Sequence, residues 1–167
     1  MTQPQQGIAV LKAEEKDLPR ILEIQREAFM EEARLVGNMP ISPITEPLSE
    51  VERDFREALI LKAVDATGNI LGSVRGRRKG DTTMVSKLSV SPEAQGRGVG
   101  AKLLSAIEIS LPAQFYELHT RKQNHKSMGL YLKSRYAIFK EDIMEQGLTF
   151  AHLRKVAKDN GSTAEKT

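Results

Sequence analysis

Cysteine and long apolar runs are absent from this chain of 167 residues. Without cysteine there can be no disulfide, no thiolate metal site and no cysteine nucleophile. No apolar stretch approaches the roughly 18 residues that a membrane-spanning helix needs. The polar residues 1–7 also lack the cationic start and the apolar stretch of a secretory signal. These absences predict a soluble cytoplasmic protein with no membrane partner.

An excess of charge of either sign is also missing, because 25 Lys and Arg residues face 22 Asp and Glu residues. The resulting charge of +3 would help an anionic cofactor to approach. The chain has no continuous basic stripe with interleaved aromatic residues, as nucleic-acid readers usually have, so no nucleic-acid partner is predicted. His119, His125 and His152 lack the spacing of a metal-ligand pair. We therefore predict no metal site and interpret the three histidines as packing or surface residues.

The overall composition is that of a folded protein. Hydrophobic residues make up 40% of the chain and charged residues 28%, whereas disordered chains combine few large apolar residues with a high net charge. The length suits one compact domain. We predict one folded domain over residues 1–157 and a polar, disordered tail over residues 158–167.

Hydrophobic periodicity predicts an alternation of strands and helices. Strands are predicted at residues 8–13, 59–64, 70–77, 82–90, 115–120, 136–140 and 148–153. Helices are predicted to start near Leu18, Leu48, Val99 and Asn124. Residues 37–47 are predicted to form a flexible connector because they hold three prolines. The second, third and fourth strands are joined by short turns and must form an antiparallel meander. The fold class is α/β of the α+β type: one domain with a mixed, mostly antiparallel sheet of about six to seven strands, flanked by about four helices.

Gly96, Gly98 and Gly100 stand between a predicted strand and a predicted helix. Missing β-carbons let backbone N–H groups converge on one concavity, and the helix start adds about half a positive charge. That geometry binds phosphate, and a diphosphate is its natural occupant. A simple turn would need one glycine rather than three.

Two other classes of nucleotide site also use glycine-rich loops. A P-loop is excluded, since residues 101–103 are Ala, Lys and Leu and leave no hydroxyl for Mg²⁺. A dinucleotide fingerprint is formally satisfied by Gly96-x-Gly98-x-x-Ala101, with Glu117 about twenty residues on. That fingerprint begins where a strand ends in a parallel βαβ unit, whereas here residues 91–95 intervene after an antiparallel meander. A nucleotide-dependent oxidoreductase is thus the least favoured alternative.

The run Leu88-x-Val90-x-Pro92-x-x-Gln95-Gly96-x-Gly98-Val99-Gly100 resembles the central motif of the GNAT family of N-acetyltransferases. In that motif a strand end leads into a Gln/Arg-x-x-Gly-x-Gly/Ala loop. The order of elements over residues 8–153 is similar too, and Asn124 and Tyr131 resemble the family's fourth-helix Asn and Tyr. The resemblance implies an acyl-CoA N-acyltransferase-like fold. It also implies a transferase that moves acetyl from acetyl-CoA to a primary amine. The amine would attack directly in a ternary complex, without a metal.

The resemblance also implies roles for individual residues. The loop would wrap the coenzyme diphosphate, the pantetheine arm would pair with the edge of the strand at residues 88–90, and the strands at Leu88 and Phe115 should splay to admit it. The Leu88 N–H would face the thioester carbonyl. Tyr131 would protonate the leaving thiolate, and Asn124 would contact the arm or cap its helix. The predicted catalytic residues are Tyr131 and Leu88, and the predicted cofactor-binding residues are Leu88, Ser89, Val90, Gln95, Gly96, Arg97, Gly98, Val99, Gly100, Asn124 and Tyr131.

The residues do not identify a general base. Some family members carry a Glu on the fourth strand, but residues 84–87 read Met-Val-Ser-Lys. Glu31 or Glu32 could act through water, although we interpret them mainly as a solvated helix end. Arg135 stands where the family usually has a glycine with positive φ, so we expect a different helix end and a shifted Tyr131.

A cluster of cations, Arg75, Arg77, Arg78 and Lys79, is interpreted as a solvated hairpin edge, with an acidic substrate group as the alternative ligand. Residues 37–47 and 141–147 are expected to shape the acceptor pocket, whose ligand the sequence leaves open. A homodimer is possible from the resemblance alone. The alternative function is a noncatalytic acyl-CoA sensor with the same cofactor site.

Overall fold

Seven strands and five helices make up the computed structural model, which describes residues 7–37, 40–143 and 148–158. The strands are β1 (Ala9–Lys12), β2 (Leu59–Val64), β3 (Ile70–Lys79), β4 (Thr82–Val90), β5 (Phe115–Arg121), β6 (Ala137–Ile143) and β7 (Thr149–Val156). The helices are α1 (Leu18–Leu35), α2 (Ser42–Thr45), α3 (Leu48–Glu57), α4 (Val99–Ser110) and α5 (His125–Lys133). This agrees with the predicted order and number of strands, and it adds one short helix.

All seven strands form one sheet in the order β1-β2-β3-β4-β5-β7-β6. Every neighbouring pair is antiparallel except β4 and β5, which are parallel. The joins after β2 and β3 hold only five and two residues, and such short connections can join only antiparallel neighbours, which explains the meander. The predicted mixed, mostly antiparallel sheet is confirmed.

Helices cover both faces of the sheet. On one face, α4 buries Val99, Leu103, Leu104 and Ile107 in the main core, which also holds residues of β2, β3, β4, β5 and β7. On the other face, α1 and α3 pack over β2 in a second core built from Leu18, Ile21, Leu22, Val51 and Ile60. Gly76 on β3 permits the close approach of α4, because a β-carbon there would lie 2.7 Å from Ile107 Cγ1.

The parallel pair β4–β5 separates along its length. Pairing runs only from Thr82 opposite Phe115 to Met84 opposite Glu117. Beyond it β4 carries a bulge: three residues of β3, from Ser73 to Arg75, face four of β4, from Ser89 back to Ser86. A bulge bends its strand, so the second half of β4 turns away from β5. The two strands splay as predicted, and the gap between them opens after Met84.

The predicted connector over residues 37–47 is partly wrong. Ser42–Thr45 forms one helical turn, α2, and Glu46 beyond it is tied to side chains of α1 and β3. Residues 38–39, residues 144–147 of the predicted pocket loop and residues 159–167 of the predicted tail lie outside the described residues. Within the described part of the chain, no helix combines the length and apolarity that crossing a membrane would require.

Candidate active site

A cleft of about 870 Å³ passes through the gap between β4 and β5. Its walls come from α1, β4, the glycine loop, the start of α4, β5 and α5. Of the predicted site residues it brings together Leu88, Val90, Gln95, Gly96, Gly98, Val99, Gly100, Asn124 and Tyr131. Ser89 and Arg97 are not among the residues that line it. Ser89 is buried and its hydroxyl donates to the Lys87 carbonyl at 3.2 Å, while Arg97 lines a separate cavity of about 560 Å³.

The glycine loop supplies backbone rather than side chains to this cleft. Gly96 and Gly98 have φ values of 80° and 79°, in the left-handed region that favours glycine. Gly98 precedes the first residue of α4, so the first N–H groups of that helix have no carbonyl partner within the helix. A β-carbon on either glycine would meet no described atom within 4 Å. The loop therefore faces open space with N–H donors and the positive helix end, which suits an anion.

Lys87 and Leu88 lie at the β4 bulge, next to this gap. Lys87 has a φ of 53°, and the register assigns neither residue a partner on β3. Sequence inspection gave no sign of this bulge. It leaves Leu88 without a register partner on β3 at a point where this residue lines the cleft, and it requires no particular side chain.

Asn124 caps α5 with one end of its side chain and binds α1 with the other. Its Oδ1 accepts a hydrogen bond from the Ser127 N–H at 3.2 Å, and its Nδ2 donates to Glu32 Oε1 at 2.7 Å. Of the two roles left open from the sequence, the structure shows the cap. A contact between Asn124 and a pantetheine arm stays a prediction.

Tyr131 is buried, and its ring lines the cleft. No described residue forms a hydrogen bond with its hydroxyl, whereas the hydroxyls of Tyr116 and Tyr136 both bond to Glu108. Burial, with the nearby Glu32 carboxylate, raises the pKa of Tyr131 well above its ordinary value. The phenol therefore keeps its proton and can donate it into the cleft.

The end of α5 fixes the backbone of Tyr131. The Tyr136 N–H donates to the Tyr131 carbonyl at 3.0 Å, and the Arg135 N–H donates to the Leu132 carbonyl at 3.2 Å. This is a Schellman motif, and its usual apolar contact is present because the Tyr131 and Tyr136 rings are 6.1 Å apart. Arg135 adopts a φ of 75°, so the expected difference in helix ending is wrong: the arginine takes the backbone conformation that glycine usually supplies.

Glu32 corrects the interpretation of a solvated helix end. Because α1 continues to Leu35, Glu32 lies on its inner face and is only 6% exposed. Arg121 Nη1 donates to Glu32 Oε2 at 2.6 Å, and Asn124 occupies the other oxygen. Glu31 does face solvent, 3.6 Å from Lys126 Nζ. Glu32 thus joins α1, β5 and the start of α5 at the mouth of the cleft.

Arg75 corrects the interpretation of a solvated hairpin edge. It is only 1% exposed, whereas Arg77, Arg78 and Lys79 beyond it are exposed. Its guanidinium group forms four hydrogen bonds. Nη1 donates to Glu46 Oε2 at 3.0 Å and to Asp54 Oδ2 at 2.7 Å. Nη2 donates to Glu46 Oε1 at 2.8 Å and to Gln25 Oε1 at 2.6 Å. The hydrogen bonds from Arg75 and Gln25 outweigh burial and hold the pKa of Glu46 below its ordinary value. Arg75 is therefore bound inside the fold, where it fastens α1, α3 and the segment after α2 to β3.

The comparisons with known proteins agree with this architecture. A model of the acetyltransferase (GNAT) family matches residues 18–135. An acetyltransferase of Pectobacterium atrosepticum is 29% identical over 100 residues, which are 58% of this chain and 71% of the relative. The PaiA N-acetyltransferase of Thermoplasma acidophilum, solved in complex with coenzyme A, superposes with a TM-score of 0.74 at 16% identity, over 90% of this chain and 99% of that one.

A second solved structure, the ribosomal-protein-S18-alanine N-acetyltransferase of Escherichia coli, has a TM-score of 0.70 at 16% identity, over 92% of this chain and 97% of that one. At such identities the two solved structures establish the fold. The family model covers most of the chain and confirms the family that the central motif predicts. The chain belongs to the GNAT acetyltransferase family and is an acyl-coenzyme A dependent N-acetyltransferase.

Proposed function

We propose that this enzyme transfers the acetyl group of acetyl-CoA to a primary amine by direct attack in a ternary complex. The observation that carries the proposal is the cleft itself, which crosses the sheet between β4 and β5. One side of the gap holds the glycine loop and Tyr131, and the other side is open toward α1. A thioester and an amine can thus enter from opposite faces and meet in the gap.

The donor would be held mainly by backbone groups. The N–H groups of the glycine loop and the positive end of α4 would bind the diphosphate, and the unpaired edge of β4 would receive the pantetheine amides as an added strand. The solved complex of the PaiA enzyme with coenzyme A supports this class of ligand. The chemistry of the loop fits an anion, since two positive-φ glycines leave its concave side open.

Two groups would act on the thioester. The Leu88 N–H, on the bulged part of β4, would donate to the carbonyl oxygen as negative charge grows there. One such preorganised donor is worth about 3–4 kcal/mol of transition-state stabilisation. Tyr131 would donate its proton toward the sulfur as the C–S bond breaks. Its raised pKa keeps the phenol protonated, so that a donor is present beside the sulfur as negative charge develops there.

A turnover assay tests this function. Acetyl-CoA is offered with spermidine, lysine and a peptide that begins with alanine, and the released thiol is measured with a thiol reagent, to which this cysteine-free chain contributes no background. We expect release with at least one amine. Acetyl-CoA binding without release across the amines would contradict the proposal and favour a noncatalytic sensor.

The role of Tyr131 is tested in the same assay. Tyr131→Phe should lower kcat by roughly 10²-fold and leave the affinity for acetyl-CoA unchanged, because general-acid catalysis contributes only to the chemical step. Tyr116→Phe is the matched control, since that hydroxyl is bonded within the fold, to the Ala113 N–H at 3.1 Å and to the Glu108 carbonyl at 3.2 Å. Equal kcat values for Tyr131→Phe and the unaltered enzyme would remove Tyr131 from the mechanism.

A further inference from the structure

The proposed reaction needs a base, because an alkylamine reaches the cleft largely as an ammonium ion and must lose a proton before it attacks. Both acidic side chains at the mouth of the cleft are already engaged. Glu32 accepts hydrogen bonds from Arg121 and Asn124 on its two oxygens, at 2.6 and 2.7 Å. Glu31 is exposed and faces Lys126 at 3.6 Å. The base must therefore come from another element that lines the same cleft.

His119 lies on β5 where the partner strand β4 has turned away. The last β4–β5 pair joins Met84 to Glu117, two residues before His119. Side chains alternate along a strand, and those of Tyr116, Leu118 and Thr120 are buried. His119 therefore shares the opposite face with Arg121, which reaches α1 through Glu32. This is the face of the sheet that lies across the gap from Tyr131.

The surroundings of His119 leave its ring nitrogens available. Its ring lines the cleft, and none of the described residues forms a hydrogen bond with it. Two side chains of β7 flank it: the Phe150 ring at 5.4 Å, edge to face, and the His152 ring at 5.7 Å. His152 forms a hydrogen bond on the β6 side, where its Nε2 donates to Asp142 Oδ2 at 2.7 Å.

We propose that His119 is the general base that removes the proton of the acceptor amine. This role rests on the proposed N-acetyltransferase function. An imidazole nitrogen takes one proton from the ammonium group, the freed lone pair forms the C–N bond, and the C–S bond breaks. Tyr131 gives a proton to the sulfur and regains one from the nitrogen of the new amide. One proton per turnover therefore leaves His119 for solvent, and no further reactant is needed.

The charges around His119 favour the neutral ring that a base requires. His119 is exposed on β5, yet the cleft walls partly desolvate its ring, which lowers its pKa, and His152 on β7, Lys87 on β4 and Arg121 on β5 act in the same direction. The Glu32 carboxylate on α1 opposes them but is outweighed. The ring is therefore unprotonated at neutral pH, with a lone pair ready to accept a proton.

The test compares His119→Gln with Lys133→Gln, since Lys133 is exposed at the end of α5 and does not line the cleft. Thiol release from acetyl-CoA is measured with the three amines and, in their absence, with water as the acceptor. We expect His119→Gln to lower kcat/KM by roughly 10²-fold or more without weakening acetyl-CoA binding, and Lys133→Gln to leave it unchanged.

The pH dependence separates a base from a structural residue. In the hydrolysis reaction kcat/KM should rise with pH through the lowered pKa of His119 and then level, because only the unprotonated ring acts. His119→Gln should lack this acidic limb. In His119→Ala, added imidazole should restore part of the rate, and that rescue keeps the test valid if Gln disturbs the cleft.

Three results would overturn the role of His119. If the unaltered enzyme turns over an amine and His119→Gln matches it in rate and pH profile, the base lies elsewhere and the proposed function stands. Equal losses in His119→Gln and Lys133→Gln, with no rescue of His119→Ala by imidazole, would have the same meaning. If the unaltered enzyme binds acetyl-CoA but releases no thiol with any amine or with water, the proposed function fails and the role of His119 fails with it.

Discussion

The two walls of the cleft are built in different ways. The donor wall, made of the glycine loop, the bulged end of β4 and the start of α4, presents backbone N–H groups. The acceptor wall consists of the end of α1, the second half of β5 and the segments behind them. Buried side-chain hydrogen-bond networks around Glu32 and Arg75 hold it together. Backbone sites require glycines at fixed spacing, so they leave a local pattern. The side-chain networks join residues that are 21 to 92 positions apart, so they produce no local pattern in the sequence.

Breaking the Arg75 network should have the largest effect on stability. Arg75→Met leaves the carboxylates of Glu46 and Asp54 without their cation, and removal of one partner of a buried ion pair costs about 3–5 kcal/mol. The free energy of unfolding, measured in urea, should fall by that amount, while the affinity for acetyl-CoA of the folded variant stays near that of the unaltered protein. Arg77→Met is the control: its exposed pairs at 3.5 Å should contribute no more than about 1 kcal/mol. A loss below 1 kcal/mol for Arg75→Met would contradict the distinction between the walls.

Glu32→Ala should have the next largest effect. It leaves the Arg121 guanidinium and the Asn124 amide without their acceptor, and hydrogen bonds that involve a charged group contribute about 1.5–3 kcal/mol. We expect a loss of about that size in the free energy of unfolding. The adjacent Glu31→Ala removes only an exposed pair and should change it by less than about 0.5 kcal/mol. Similar losses in the two variants would show that Glu32 is solvated after all.

Acid should weaken the acceptor wall. The pKa of Glu46 is lower in the folded chain than its ordinary value of 4.5, so its contribution to stability is complete above that pH and is lost as the pH falls through the lowered value. Unfolding in urea, repeated between pH 7 and pH 3, should show this loss in the unaltered protein and a smaller one in Glu46→Gln. An identical decline in both proteins would mean that the carboxylate is not held by Arg75.

Arg135→Gly should have the smallest effect, and a stabilising one. The left-handed conformation costs a non-glycine residue about 1–2 kcal/mol, and the added freedom of glycine in the unfolded chain offsets part of the gain. The free energy of unfolding should rise by about 0.5–1 kcal/mol. Ser134→Gly, at the preceding position with a φ of −88°, should lower it instead. Destabilisation by Arg135→Gly would show that the arginine side chain stabilises the folded chain by more than its left-handed backbone costs.

The order of elements, the antiparallel meander and the glycine loop could be predicted from the sequence, because each depends on neighbours a few residues apart. Asn124 and Tyr131 could be placed on one helix for the same reason. The burial of Glu32 could not be predicted, since it depends on α1 continuing past the last apolar residue of its periodic pattern. The burial of Arg75 could not be predicted either, because its hydrogen-bond partners come from three distant segments. His119 had one usable signal: the alternation of buried side chains along β5 puts it on the open face, but only the gap between the strands gives that face a function.

The most direct test of the donor site is thermal unfolding with saturating acetyl-CoA of the unaltered protein, Gly98→Val and Gly68→Val. The two glycines have φ values of 79° and 89° and the same empty surroundings, so both variants carry similar backbone strain, but only Gly98 lies on the donor wall. At about 100 times its dissociation constant a ligand stabilises by about 2.7 kcal/mol, roughly 5–10 °C for this size. We expect that shift in the unaltered protein and in Gly68→Val, its loss in Gly98→Val, and no shift with NADH or ATP. A full shift in Gly98→Val, or a shift with NADH or ATP alone, would contradict the donor site described here.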